Sequence, residues 1–124
     1  MLTFSSAQFA RLRELRLADF HARLLAHLER GFPARCRELG PAAVAASVAE
    51  GVRLAGQYGA DSERDICRFI ESFYMLHFDP DQPELAGWVN AVLASTDLDP
   101  GAKIAHVHAT VKQAFDRRAQ PVAR

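Results

Sequence analysis

Apolar residues recur along this chain at intervals of three and four, the repeat of an α-helix with one buried face. Leu12, Leu17, Phe20, Leu24 and Leu28 follow one another in this way, with Arg13, Arg16, Arg23 and Arg30 largely between them. The stretch opens on "FSSAQF", where Ser5 and Gln8 stand at capping-box spacing and Phe4 is placed to staple onto Phe9. This predicts a long amphipathic helix closing near Gly31. "FPARCRELG" then puts a proline in a first helical turn and Gly40 just past an end, which predicts a short second helix. Pro41 opens a third, whose narrow stripe of Val44, Val48, Val52 and Ala55 is flanked by alanines that permit close approach. Gly51 and Gly56 cost that helix about 1 kcal/mol each relative to alanine, so it is expected to depend on tertiary packing.

Gly59 ends the third helix, and Asp61 or Ser62 caps the next. There Ile66, Phe69, Ile70, Phe73, Leu76 and His77 recur at helical intervals, with Glu63 and Asp65 in the first turn, where the helix dipole favours negative charge. Tyr74 and Met75 widen the stripe, which predicts a central position. "DPDQPE" breaks the chain, and Leu85, Trp88, Val89, Val92 and Leu93 make a short apolar helix after Pro83. Asp99 and Pro100 start a last helix lined by Ile104, Val107, Val111 and Phe115, after which "RRAQPVAR" is expected to fray. No alternating, strand-like segment and no repeat competes with this reading. The expected fold is all-α: a single-domain bundle or orthogonal array of five to six helices over residues 1–118, with a tail at 119–124.

A length of 124 residues suits one compact core, and 49% hydrophobic with 24% charged residues is the composition of a globular protein. No apolar run reaches the roughly 18–20 residues that span a bilayer, and arginines interrupt the N-terminus before a signal-peptide core can form, so the expected location is cytoplasmic with no membrane partner. Net charge is zero but unevenly spread. Residues 1–40 carry seven Arg against four acids, residues 61–100 two Arg against nine acids, and residues 101–124 five Lys or Arg against one acid. The most aromatic segment is thus the acidic one, the reverse of a nucleic-acid-reading helix, and no nucleic-acid partner is expected.

Candidate chemistry is sparse. Cys36 and Cys67 have no CxxC and no histidine at zinc-ligand spacing, and read as buried free thiols. His106 and His108 point about 200° apart on a helix, and His21 and His27 are six residues apart, so neither pair suits one ion and no metal is expected. "DPDQPELAGWVN" has Glu84 and Asn90 where a calcium loop needs Gly and Glu. There is no GxSxG elbow, no phosphate-binding Gly-rich loop and no HExxH, so no catalytic residue and no cofactor is assigned. Glu71, the one acid inside the aromatic segment, is expected to face solvent or pair with Arg68 or an arginine of another helix.

"YGADSERDICRFIESFYMLHFDPD", then "WVNAVL" and "LDPGAKIAHVH", resembles small all-helical proteins encoded in bacterial type VI secretion clusters beside effector genes and their adaptor or chaperone genes. Tyr58, Gly59, Glu63, Asp65, Phe69, Phe73, Phe78, Asp79, Trp88, Lys103 and Ile104 carry the resemblance, which covers roughly residues 5–111. Many such proteins have a glycine turn before the acidic Phe-Asp element, where this chain has Leu76-His77. The resemblance implies a non-enzymatic accessory role, a co-chaperone or adaptor that helps load an effector onto the secretion spike.

The expected mechanism is protein binding through a helical face, with a secreted effector or its adaptor as partner. The first candidate surface lies between the fourth helix and the Trp88 helix and comprises Tyr74, Phe78, Asp79, Asp81 and Trp88. The alternative is an immunity protein that blocks a toxin with acids such as Glu63, Asp65, Asp79 and Asp81. A homodimer through the first helix is compatible with its length. A small-molecule or enzymatic role would require polar groups converging on Cys67 or His77.

Overall fold

In the computed structural model, residues 5–76 and 83–119 are described. Among them the chain is all-α, with no strand: α1 Ser6–Gly31, α2 Pro33–Leu39, α3 Pro41–Gln57, α4 Glu63–Leu76, α5 Pro83–Ala94 and α6 Pro100–Ala119. No helix among the described residues is long and apolar enough to cross a membrane. The chain divides into two compact units, residues 1–48 and 49–124, and the boundary falls within α3.

In the first unit, Ser5 and Gln8 close the anticipated capping box. Ser5 Oγ accepts from the Gln8 N–H at 3.2 Å, and Gln8 Oε1 accepts from the Ser5 N–H at 2.6 Å. Phe4 and the Phe9 side chain lie outside the described residues, so the staple does too. Backbone hydrogen bonds four residues apart carry across both breaks that follow: the Phe32 N–H donates to Leu28 O and Gly40 N–H to Cys36 O, while Cys36 and Val44 reach back to Phe32 and Gly40. Gly40, at φ 84°, supplies the left-handed step between α2 and α3 that a side chain would disfavour. Phe20, Leu24, Leu28, Phe32, Cys36, Val44 and Val48 are buried.

In the second unit, α4 packs most extensively against α6, and α5 also packs on α6. Ser62, rather than Asp61, caps α4: its Oγ accepts from the Asp65 N–H at 3.1 Å. Asp99 Oδ2 caps α6, accepting from the Gly101 and Ala102 N–H groups at 3.1 and 3.3 Å. The core comprises Ala55, Phe69, Ile70, Tyr74, Met75, Val89, Leu93, Ile104, Val107 and Val111. Ser72 is fully buried as well, its hydroxyl donating to the Arg68 carbonyl at 2.7 Å, so α4 is covered on more than its apolar stripe. Gly51 explains itself here: a Cβ on it would stand 2.6 Å from Ile70 Cγ1, so α3 and α4 meet where only hydrogen fits. α6 runs on through Arg117 to Ala119, further than the expected onset of fraying.

Candidate functional site

The residues proposed from sequence as a docking surface do not form one exposed patch among the described residues. Tyr74 lies in the core, 6% exposed, so its ring packs inside the second unit. Trp88 is half-buried on α5, edge-on to His106 of α6 with ring centroids 5.1 Å apart. Phe78, Asp79 and Asp81 lie outside the described residues, as does His77.

Most of the described residues that carry the family resemblance act as joints. The Tyr58 ring tilts against Phe69 at 5.7 Å, and Phe69 against Phe73 at 5.0 Å. Gly59, at φ 91°, leaves 2.8 Å between an added Cβ and Pro100, which fixes the approach of the α3–α4 turn to the start of α6. Lys103 is buried, and its Nζ donates to the carbonyls of Leu93 and Ser95 at 3.1 and 2.8 Å. Those carbonyls close the C-terminal end of α5, where the helix dipole favours a cation. A lysine at 103 therefore ties α6 to α5, which nothing in helical periodicity announces.

An exposed apolar surface is found instead on α1. Every residue from Ser5 to Asp19 whose side chain is described is exposed, with Leu12, Leu15 and Leu17 at 39%, 53% and 47%. Leu12 and Leu17 belong to the stripe that continues into buried Phe20, Leu24 and Leu28. The amphipathic pattern thus extends beyond the part of the helix that is buried. Around these leucines, Arg11 pairs with Glu14 at 3.7 Å and Asp19 with Arg23 at 2.9 Å, both on the solvated surface. The first unit also holds an open cleft of about 430 Å³ lined by Glu29, Pro33, Cys36, Arg37, Gly40, Pro41 and Val44. Its thiol, Cys36, is buried, and that burial, reinforced by Glu29, pushes it above the ordinary thiol range.

Cys67 meets a carboxylate of its own helix. Its Sγ donates to Glu71 Oε1 at 3.4 Å, one helical turn along α4. His108 of α6 brings its Nε2 to 3.7 Å from that same oxygen, outside hydrogen-bond reach. Nε2 is buried without a hydrogen-bond partner, as is Nε2 of His21 in the first unit. Burial holds His108 below the usual imidazole range, with Arg68 and Lys112 adding to the effect and Glu71 opposing it. Burial and the Glu71 carboxylate push the Cys67 thiol up to about 12. An activated cysteine nucleophile needs the opposite, a thiol depressed by neighbouring positive charge. Glu71 is 23% exposed, facing Cys67 and His108 rather than open solvent. Spacing along a single helix does not announce the meeting of His108 with Glu71, because His108 reaches it from α6.

Comparison with protein families, with curated proteins and with solved structures finds no match for this chain.

Proposed function

We propose that this chain is a non-enzymatic accessory protein that works by binding another protein through the first half of α1. The observation that carries the reading is that every described side chain from Ser5 to Asp19 is exposed, Leu12, Leu15 and Leu17 included, on a helix whose later turns bury Phe20, Leu24 and Leu28. Isolated exposed leucines are ordinary on protein surfaces. Three within six residues, two of them continuing a core stripe, fit a helix presented to an apolar groove, where each buried leucine contributes about 1.5–3 kcal/mol. Arg11, Arg13 and Arg16 in the same turns favour a groove with an acidic rim, which would set orientation and association rate. The raised thiol of Cys67 supports a role other than cysteine-based catalysis. From the resemblance, the partner is a secreted effector or its adaptor encoded nearby.

The test replaces Leu12, Leu15 and Leu17 by Ser and measures co-purification with the products of adjacent genes. Loss of binding with helicity and Trp88 fluorescence intact is expected. Retained binding by the folded variant refutes the α1 surface. Rescue of cells from a neighbouring toxin on co-expression would instead assign the immunity role.

A further inference from the structure

We propose that this chain associates with a second copy of itself, the first half of α1 in one copy docking on an acid-rimmed apolar patch at one end of the second unit of the other. The inference rests on the reading of α1 as a docking helix and names one occupant for it.

The large apolar side chains that stand exposed among the described residues fall in two places. Leu12, Leu15 and Leu17 are on α1, whereas Tyr58 and Leu98, 38% and 46% exposed, belong to the second unit. The fold brings the latter two to one end of that unit. Gly59 meets Pro100 so closely that an added Cβ would stand 2.8 Å from its Cγ, which sets Tyr58 beside the connection that carries Leu98. The Tyr58 ring rests on buried Phe69 at 5.7 Å, so the core supports this patch.

Charge rims it. Residues 58–65 and 95–101 carry Asp61, Glu63, Asp65, Asp97 and Asp99 against Arg64. Asp65 and Asp99 gather at the start of α6, where a Cβ on Gly101 would stand 3.2 and 3.3 Å from their Oδ2 atoms. The complement lies on α1. Leu12 and Leu15, three residues apart, share a face, and Arg16 and Arg11 stand one turn from them along the helix. Glu14 and Asp19, the acids of this stretch, are partnered by Arg11 and Arg23, which leaves Arg13 and Arg16 to meet an acidic rim. α1 against α1 would bring two basic surfaces together instead. The contact is heterologous, because each copy offers a different surface. It covers the leucines assigned to the effector or adaptor, so a second copy and that partner compete for α1.

Sedimentation equilibrium of the full chain tests this. Average mass should rise from 13.7 kDa at about 1 μM toward twice that at on the order of 1 mM, the range of a small, weak interface. Raising ionic strength from about 0.1 M to about 1 M cuts the screening length from about 10 Å to about 3 Å and should weaken association by about tenfold. Arg13→Glu/Arg16→Glu and Asp61→Lys/Asp97→Lys alter exposed side chains and spare the Ser62 cap. Each variant alone should stay monomeric. Their equimolar mixture should associate again, since each reversed surface then meets its reversed complement. A monomeric wild type throughout the range, salt-independent association, self-association of Asp61→Lys/Asp97→Lys at wild-type strength, or a mixture of folded variants that stays monomeric would each overturn the inference. If either double variant does not fold, Leu98→Ser decides: a loss of about tenfold or more is expected, and unchanged association overturns the patch. A monomeric wild type whose leucine variants still lose the effector or adaptor would strike this inference and leave the α1 reading standing.

Discussion

Lys103→Met offers the sharpest test of how the second unit is held together. Methionine keeps most of the apolar stem but removes the ammonium that donates to Leu93 O and Ser95 O. Hydrogen bonds to a charged group contribute about 1.5–3 kcal/mol each, and a buried carbonyl left unpaired costs about 1–3 kcal/mol. The Leu93 contact is the buried one, whereas the Ser95 carbonyl is part-exposed and can regain water in the variant. Loss of the cation from the end of α5 adds a further ~0.3–1 kcal/mol. Against these stands the desolvation of the ammonium, which the wild type bears and the variant does not. The expected net loss is about 2–4 kcal/mol. The chain has one tryptophan, and Trp88 sits on α5 against His106 of α6, so its fluorescence during urea unfolding reports the very contact at stake. With a slope of about 1–3 kcal/mol/M, the midpoint should fall by on the order of 1–2 M. Lys112→Met on the same helix is the control, because its Nζ bonds Asp116 on the surface at 2.7 Å, where solvent screening leaves such pairs little net effect. A Lys103→Met loss no larger than that of Lys112→Met would refute the assignment of Lys103 as the tie between α5 and α6.

Two glycines of α3 should answer the same substitution with opposite signs. Gly56→Ala meets nothing within 4 Å and should stabilise by up to about 1 kcal/mol, whereas Gly51→Ala drives a methyl against Ile70 and should destabilise by about 1–3 kcal/mol despite the better helix propensity, both read by urea unfolding. Gly59→Ala combines a positive φ with a clash on Pro100 and should lower the thermal midpoint more than Gly51→Ala does. Cys36, buried and raised above the ordinary thiol range, should react slowly with alkylating reagents at pH 8 in the native protein and rapidly in denaturant. Because its native pKa is raised, the thiol's contribution to stability is fully present below about 8.5, the unfolded value, and is lost as pH rises above it, so urea midpoints should fall on the alkaline side less steeply in Cys36→Ala.

Much of the fold was legible because helix boundaries here are written in short-range chemistry. Ser5 with Gln8, Pro33, Gly40, Pro41, Ser62, Asp99 and Pro100 each act on backbone groups within a few residues, so their effect needs no knowledge of the rest of the chain. Burial along α6 followed for the same reason, since Ile104, Val107 and Val111 repeat at three and four. What escaped was set by approach between helices. Periodicity says that Tyr74 is apolar-facing but not whether a second helix covers it, and the structure covers it. Lys103 reads as a solvated charge until the end of α5 is known to lie beside it. Gly51 reads as a weakness of α3 until Ile70 is placed on it.

The same distinction explains why the site residues were the least legible. A histidine's chemistry depends on what meets it, and the partner of His108 lies 37 positions back on α4, farther than any spacing rule for a single helix can reach. Conversely, the exposed leucines of α1 are visible in the sequence as a stripe but look identical there to their buried continuation at Phe20 and Leu24. Exposure separates them. Docking is therefore assigned to the exposed Leu12, Leu15 and Leu17 of the first unit.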